Sequence, residues 1–332
     1  MKIFRNAILF LLVLNFISCK KDIDQHPIKL NGFAFGTTFK ITYFSEEDQE
    51  FSKEMDSLFH LLNKSLSTYI TTSDISKINQ GDSSITVDSY FEEVYKKSLR
   101  IYNETNGIFD PTIGILVNAW GFGPKKIDTL PNAAKVNELL NLVGFDKIEL
   151  KDGRIIKKHD SIFFDFNAIA KGYAVDIASR YLESKNITDY LVEIGGEIRS
   201  RGINKRKNAP WEMGIENPNF DGSRSINKIV NLNNASTATS GSYRKFKLDT
   251  VTGKKYAHIL NAKTGYPVQN SLLSATVIAK LDCADVDGYA TALMAMSFED
   301  AISFLAKHPE LKGFLIYSDV NGTLESYSTS NF

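Results

Sequence analysis

The scarcity of cysteine constrains this chain most: Cys19 and Cys283 are its only two, and Cys19 closes a segment with the anatomy of an export signal. Lys2 and Arg5 precede an apolar run from Ala7 to Ile17, and Ser18-Cys19 follows, which is a charged region, a hydrophobic region and a small residue before the cysteine. The run is too short to span a hydrocarbon core of roughly 30 Å, and Asn15 interrupts it. A removed signal is therefore expected rather than a permanent transmembrane helix. Once Cys19 is modified, no second thiol remains for an internal disulfide. The fold must rest on its core, and 332 residues of 43% hydrophobic composition can bury a large one.

Phe16-Ile17-Ser18-Cys19 is similar to a bacterial lipobox, with Phe16 where Leu is usual. Residues 1–18 are read as the signal peptide, 19–27 as the lipidated N-terminus and its polar tether, and 28–332 as the folded part. Ordinary cleavage beside an incidental cysteine is the alternative. The expected location is a bacterial membrane, with the chain exported, lipid-anchored and facing the periplasm. Beyond the tether there is no Gly/Ser/Pro tract, low-complexity run or repeat, so one continuous domain of two intimately packed lobes is expected. Lys plus Arg number 39 and Asp plus Glu 39, so the net charge is zero. A nucleic-acid partner is disfavoured, because neither a basic excess nor a basic stripe is present.

Hydrophobic periodicity predicts a mixed α+β chain with mostly antiparallel strands. Lys29 to Phe44 alternates, with Gly32 and Gly36 as punctuation, and reads as two strands or one bent strand. Phe51, Met55, Leu58 and Leu62 form the stripe of a first helix. Asp88 caps a second whose inner face would be Phe91, Val94 or Tyr95, Leu99 and Tyr102, and Gly107 stops it. A third starts near Ala170 and buries Ala174, Ile177, Ala178 and Tyr181, after which Tyr190 to Ile198 reads as one buried strand. Further strands are predicted near Trp211–Ile215, Lys228–Leu232, Ala275–Ile278 and Phe314–Tyr317. Helices lie between the last two, the second capped by Ser297 with Asp300 three residues on.

Asp165-Phe-Asn-Ala-Ile-Ala-Lys-Gly-Tyr-Ala-Val-Asp176 carries the chemistry most clearly. It sets a carboxylate, a tight Asn-Ala turn and a lysine at a helix start, where free amides draw phosphate oxygens and a divalent cation can neutralise the remaining charge. An Asp165–Lys171 ion pair is the purely structural alternative. Asn106-Gly107 and Asp110-Pro111 are turn dipeptides that would offer Phe109 on a loop to stack on a flat ligand, unless its ring belongs to the core. Tyr69, in a Ser/Thr-rich loop, has the same two readings. Glu197 follows Gly195-Gly196, where a ligand can come close, and Ser240-Gly241 reads as a second Gly-containing turn. His258, one of five histidines, lies in a strand-like run and is either structural or part of the site. Asp285 and Asp287 are either helix caps or ligands.

These pieces together resemble the ApbE family of bacterial flavin transferases, which move FMN from FAD onto a hydroxyl of a target protein. The resemblance runs from about Gly32 to Tyr317, with the motifs in the family's order. They are Phe35-Gly-Thr-Thr38, Leu66-Ser-Thr-Tyr69 with Ser73 to Asn79, Asn106 to Thr112, Ala119-Trp-Gly-Phe-Gly-Pro124, Asp165 to Asp176, Glu193-Ile-Gly-Gly-Glu197, His258 to Gly265 and Asp285 to Thr291. It implies an α+β, T-fold-like domain that takes FAD as substrate and Mg2+ as cofactor. It also implies FAD contacts from Phe35, Tyr69, Ile108, Phe109, Asp110, Asp165, Lys171, Glu197, Ser240, His258 and Ile259. Phe35 stands where many relatives carry Met. Metal ligands would be the Ala168 carbonyl with Asp287 and Thr291, an all-oxygen set of the kind magnesium prefers. Some relatives have a further Asp where this chain has Ala290.

The implied reaction is attack by an acceptor protein's Ser or Thr hydroxyl on the FMN phosphorus, with loss of AMP. His258 is the candidate for removing the hydroxyl proton and Asp287 the alternative. The competing readings are an FAD pyrophosphatase, with water as acceptor, and a non-catalytic FAD-binding lipoprotein. The anchor is tested by Cys19→Ala, which should move the protein from the membrane pellet to the soluble fraction; retention in the pellet would overturn it.

Overall fold

The computed structural model describes residues 26–332 except 48, 125, 126, 128, 244, 245, 249–252 and 254. The signal peptide, Cys19 and the tether up to residue 25 lie outside the described residues.

Strand β1 (Ile28–Ala34) turns through Phe35-Gly36 into β2 (Thr37–Tyr43). Both turn residues have positive φ, +53° and +73°, as a two-residue hairpin requires. The chain then forms helices α1 (Ser52–Leu66), α2 (Asp74–Asn79), α3 (Ser89–Glu104), α4 (Gly114–Ala119) and α5 (Ala133–Leu140), and the small hairpin β3 (Ile148–Lys151) and β4 (Arg154–Lys157). Helix α6 (Ala170–Ser184) leads into β5 (Tyr190–Ile194) and β6 (Glu197–Arg201). The ribbon β7 (Trp211–Glu216) and β8 (Ile226–Leu232) follows, then β9 (Ser236–Gly241), the pair β10 (Phe246–Leu248) and β11 (Lys255–Ala257), and β12 (Leu272–Ala279). Helices α7 (Cys283–Ala295) and α8 (Phe298–Lys307) precede β13 (Lys312–Ser318) and β14 (Leu324–Ser328).

Eight strands form one antiparallel sheet in the order β1-β2-β5-β6-β9-β12-β13-β14. The α+β class with antiparallel strands is as expected. Helix α6 lies over β5 and β6, and α7 lies beside it over β9 and β12. The main core fills the space between the sheet and α1, α3, α6 and α7. The β7–β8 ribbon packs separately, with Trp211, Met213, Ile215 and Leu232 covering Ile198, Ile278, Phe314 and Ile316. Residues near the C-terminal end of β12 are thus covered on both faces, and the strand is buried almost without alternation, Ser274 and Thr276 included.

Four local expectations change. The inner face of α3 is Phe91, Val94, Tyr95, Ser98 and Ile101, while Leu99 is exposed. A small serine lets the helix approach the core, which hydrophobicity alone does not register. Tyr190 to Ile198 is two strands, because Gly195 and Gly196 at φ +65° and +106° reverse the chain, so Glu197 opens a strand. Ser240-Gly241 lies within β9, paired with Ala275 and Ser274, and forms no turn. His258 falls in a bend just after β11. The predicted cap of α8 is present, with the Asp300 N–H donating to Ser297 Oγ at 3.1 Å.

Helices α6 and α7 cross so closely that a Cβ on Gly172 would lie 2.4 Å from the Cys283 carbonyl oxygen. That oxygen belongs to backbone and cannot rotate away. Gly172→Ala should therefore cost about 1–3 kcal/mol, read as a lower urea midpoint; an unchanged midpoint would show the crossing to be loose.

Candidate active site

The site is built where the approach to α6 meets α7. Asn79, at the end of α2, holds the approach by a reciprocal pair: its Oδ1 accepts the Phe164 N–H at 2.7 Å and its Nδ2 donates to the Phe164 carbonyl at 2.9 Å. The Asp165 N–H donates to the Pro111 carbonyl at 2.8 Å. Asp165 Oδ1 accepts the Asn167 N–H at 2.7 Å, which forms the tight turn, and burial pushes its carboxyl up.

Helix α6 has no side-chain cap of its own. Its Gly172 N–H, which in a longer helix would go to the Ala168 carbonyl, donates instead to Asp287 Oδ2 at 3.0 Å. The Ala168 carbonyl is thereby relieved of its helical partner.

Lys171, Glu197 and Asp287 form one cluster. Lys171 Nζ lies 2.6 Å from Glu197 Oε1 and 3.9 Å from Asp287 Oδ2. The lysine thus pairs with Glu197 and Asp287, and no Asp165–Lys171 ion pair forms. Desolvation works against the Lys171 charge, but Asp287 and Glu197 outweigh it and hold the ammonium above the usual lysine range. Burial pushes the Asp287 carboxyl up, against the pull of Lys171 and with Glu197 adding to it. Glu197 Oε2 is buried with no hydrogen-bond partner. Four residues beyond Asp287, Thr291 Oγ1 lies 3.2 Å from Ser240 Oγ on β9.

The Asp285 side chain does not cap α7. It lies 2.6 Å from Arg100 and 3.2 Å from Lys97. Asp176 caps α7 from the neighbouring helix, its carboxylate accepting the Cys283 and Ala284 N–H groups, each at 2.8 Å. Burial pushes the Asp176 carboxyl up to about 6, with Asp282 adding to the rise. The sequence reading gave Asp176 no role. Its signal was a carboxylate at a position of α6 flanked by the buried Val175 and Ile177.

The other residues expected to meet FAD occupy varied settings. Tyr69 is 58% exposed, and partial desolvation with the nearby Asp165 carboxylate holds its phenol above the usual range. Phe35 is half-buried at the β1–β2 turn, edge-on to Phe59 at 5.3 Å. Ile108 packs on the main core, and the Phe109 ring is buried within it, the structural alternative for that residue. Asp110 is buried, its Oδ1 accepting from the Thr112 N–H at 2.8 Å and Oγ1 at 2.6 Å. Burial nonetheless pushes its carboxyl up to about 6.

His258 is half-buried, its ring 6.4 Å from that of Phe122. Ile259 is buried and accepts the Val268 N–H at 2.9 Å; it lines a cleft of about 310 Å³ with Ser242, Phe246, Leu273 and Met294. The His258–Gly265 segment is held by Trp120, whose indole N–H donates to the Gly265 carbonyl at 2.9 Å. It is held also by Asn261, whose Nδ2 donates to the Ala295 carbonyl at the end of α7 at 3.2 Å.

Among the described residues no group of three or more His, Cys, Asp or Glu side chains is placed to hold a metal ion. A cation here would take part of its ligands from carbonyl and hydroxyl oxygens. The Ala168 carbonyl, and Asp287 and Thr291 four residues apart on α7, are oxygens of that kind, and Glu197 Oε2, on the carboxylate that shares Lys171 with Asp287, is buried without a partner.

The ApbE family model matches residues 35–315. The FAD:protein FMN transferase of Vibrio cholerae serotype O1 is 35% identical over 322 residues, covering 95% of this chain and 93% of its own. That of Haemophilus influenzae is 32% identical, covering 99% and 97%. Among solved structures, the flavin transferase ApbE from Vibrio cholerae has a TM-score of 0.82 at 34% identity, covering 93% of this chain and 98% of its own. The apo form of the Pseudomonas stutzeri flavinyl transferase ApbE has a TM-score of 0.82 at 28% identity, covering 92% and 95%. The motifs, the fold and these matches over nearly the whole described chain make it a member of the ApbE family.

Proposed function

We propose that the protein, an enzyme of the transferase class, moves FMN from FAD to a Ser or Thr hydroxyl of an acceptor protein and releases AMP, with Mg2+ as cofactor. The observation that carries this reading is the Lys171–Glu197–Asp287 cluster at the crossing of α6 and α7. Two buried carboxylates share one lysine, and Glu197 Oε2 has no donor. An excess of buried negative charge favours a cation, and a helix start favours phosphate. The Ala168 carbonyl, Asp287 and Thr291 would hold magnesium, which when bound supplies charge neutralisation on the pyrophosphate.

In the transfer, the acceptor hydroxyl oxygen forms a bond to the FMN phosphorus as the bridging P–O bond breaks, and the hydroxyl proton is taken up by His258 or Asp287. Lys171 meets a phosphate or ribose oxygen, Asp165 accepts from the nucleotide, and the exposed Tyr69 ring stacks on it. Phe35, Ile108, Asp110, Ser240 and Ile259 would contact FAD, and the buried Phe109 would support that surface from the core. A lipid on Cys19 would keep the enzyme at the periplasmic face of a membrane, near membrane-bound redox acceptors. Among the described residues no helix is long and apolar enough to cross a membrane.

The reaction type is read by mass spectrometry of candidate acceptor proteins incubated with the enzyme, FAD and Mg2+. A mass gain of one FMN on a Ser or Thr is the expected outcome; free FMN and AMP with no labelled acceptor would point to hydrolysis instead. Asp287→Ala should lower transfer by roughly 100-fold or more and remove its dependence on magnesium. Near wild-type transfer in that variant would sink the metal assignment.

A further inference from the structure

One fully buried carboxylate has no part in the chemistry above, yet it touches all three elements that carry the charged cluster. Asp176 Oδ1 accepts the Cys283 N–H at 2.8 Å and Arg199 Nη1 at 2.8 Å, and its Oδ2 accepts the Ala284 N–H at 2.8 Å. Cys283 and Ala284 open α7, which bears Asp287 and Thr291. Arg199 stands two residues beyond Glu197 on β6. Asp176 itself is on α6, whose first turn bears Lys171.

The tie is reciprocal. Asp287 of α7 accepts the Gly172 N–H of α6, while Asp176 of α6 accepts two N–H groups of α7. Helix α7 has no local side-chain cap, because the carboxylate of Asp282 at its N-cap is drawn off to Lys97, Arg180 and Arg199. A cap from the next helix satisfies the same orphan donors, and it also locks the two helices in one register. Three donors converge on the two oxygens of Asp176, so it does not reach a ligand itself. An asparagine would present its own NH2 to one of those donors and leave Arg199 less neutralised.

We infer that Asp176 is a positioning residue that sets the placement of Lys171, Glu197 and Asp287 by joining α6, β6 and α7 through one carboxylate. The metal arm of the test rests on the proposed function; the exchange arm does not. Asp176→Asn is compared with wild type and with Leu232→Ala, a change in the separate apolar cluster under the β7–β8 ribbon. Thermal melting, hydrogen exchange at the first turn of α6 in ligand-free protein, and Mn2+ binding by calorimetry without FAD are measured on each.

In Asp176→Asn the Lys171–Gly172 amides should exchange about tenfold faster or more, and Mn2+ should bind roughly 10–100-fold more weakly, as for loss of a group that orients a ligand. Leu232→Ala should melt lower with both readouts unchanged. If Asp176→Asn merely melts lower, with wild-type exchange at that turn, the inference is overturned. If Asp176→Asn does not fold, Arg199→Lys decides: it must shift exchange at that turn in the same direction, by a smaller factor. Failure of wild type to bind Mn2+ would count against the metal reading, and the exchange result would then decide the inference.

Discussion

Two helices that cross within their first turns, each capped by a carboxylate from the other, are the constraint on which the rest of this site depends. The start of a helix leaves N–H groups without partners and carries partial positive charge. Bringing two such starts together is unfavourable unless anionic groups lie between them. Asp287 serves the Gly172 amide, Asp176 serves those of Cys283 and Ala284, and Asp282 spreads its charge over Lys97, Arg180 and Arg199. Gly172 is the steric counterpart, since only a residue without a Cβ allows the Cys283 carbonyl so near.

The crossing also explains the electrostatics. Burial alone would drive Asp287 toward its neutral form, and Lys171 opposes that drive while being shared with Glu197. Buried ionic groups of this kind are poor contributors to stability. Their retention makes sense where a bound cation or phosphate completes the set. The sheet supplies the rigid floor: β6 places Glu197 and Arg199, β9 places Ser240 against Thr291, and both strands lie in the interior of the sheet.

Local patterns made much of this legible. Of the two readings of Lys29 to Phe44, two strands or one bent strand, the former is found, and the start of α6 near Ala170, the cap at Ser297 and the strands at Trp211 and Phe314 follow from short-range stereochemistry and periodicity. The spacing of Asp287 and Thr291 likewise put them on one helical face. Less legible were features that depend on what a segment packs against. Leu99 is apolar yet exposed because Ser98 takes the inward position. Ser240-Gly241 has the composition of a turn, yet pairing with β12 makes it strand. Phe109 lies between turn dipeptides, yet its ring is buried near Gly288.

By itself the sequence determined the α+β class and the set of motifs that belong to the ApbE family, and it raised the expectation of an export leader ending at Cys19. Those properties are carried by residue type and order, which need no knowledge of distant neighbours. Only the tertiary structure decided which charges pair. Lys171 lies six residues from Asp165 and far along the chain from Glu197 and Asp287, yet it is the latter two that it meets, because the sheet and the helix crossing bring them together. Asp176 could acquire a role only in three dimensions, since the amides it caps belong to a helix that begins over a hundred residues later.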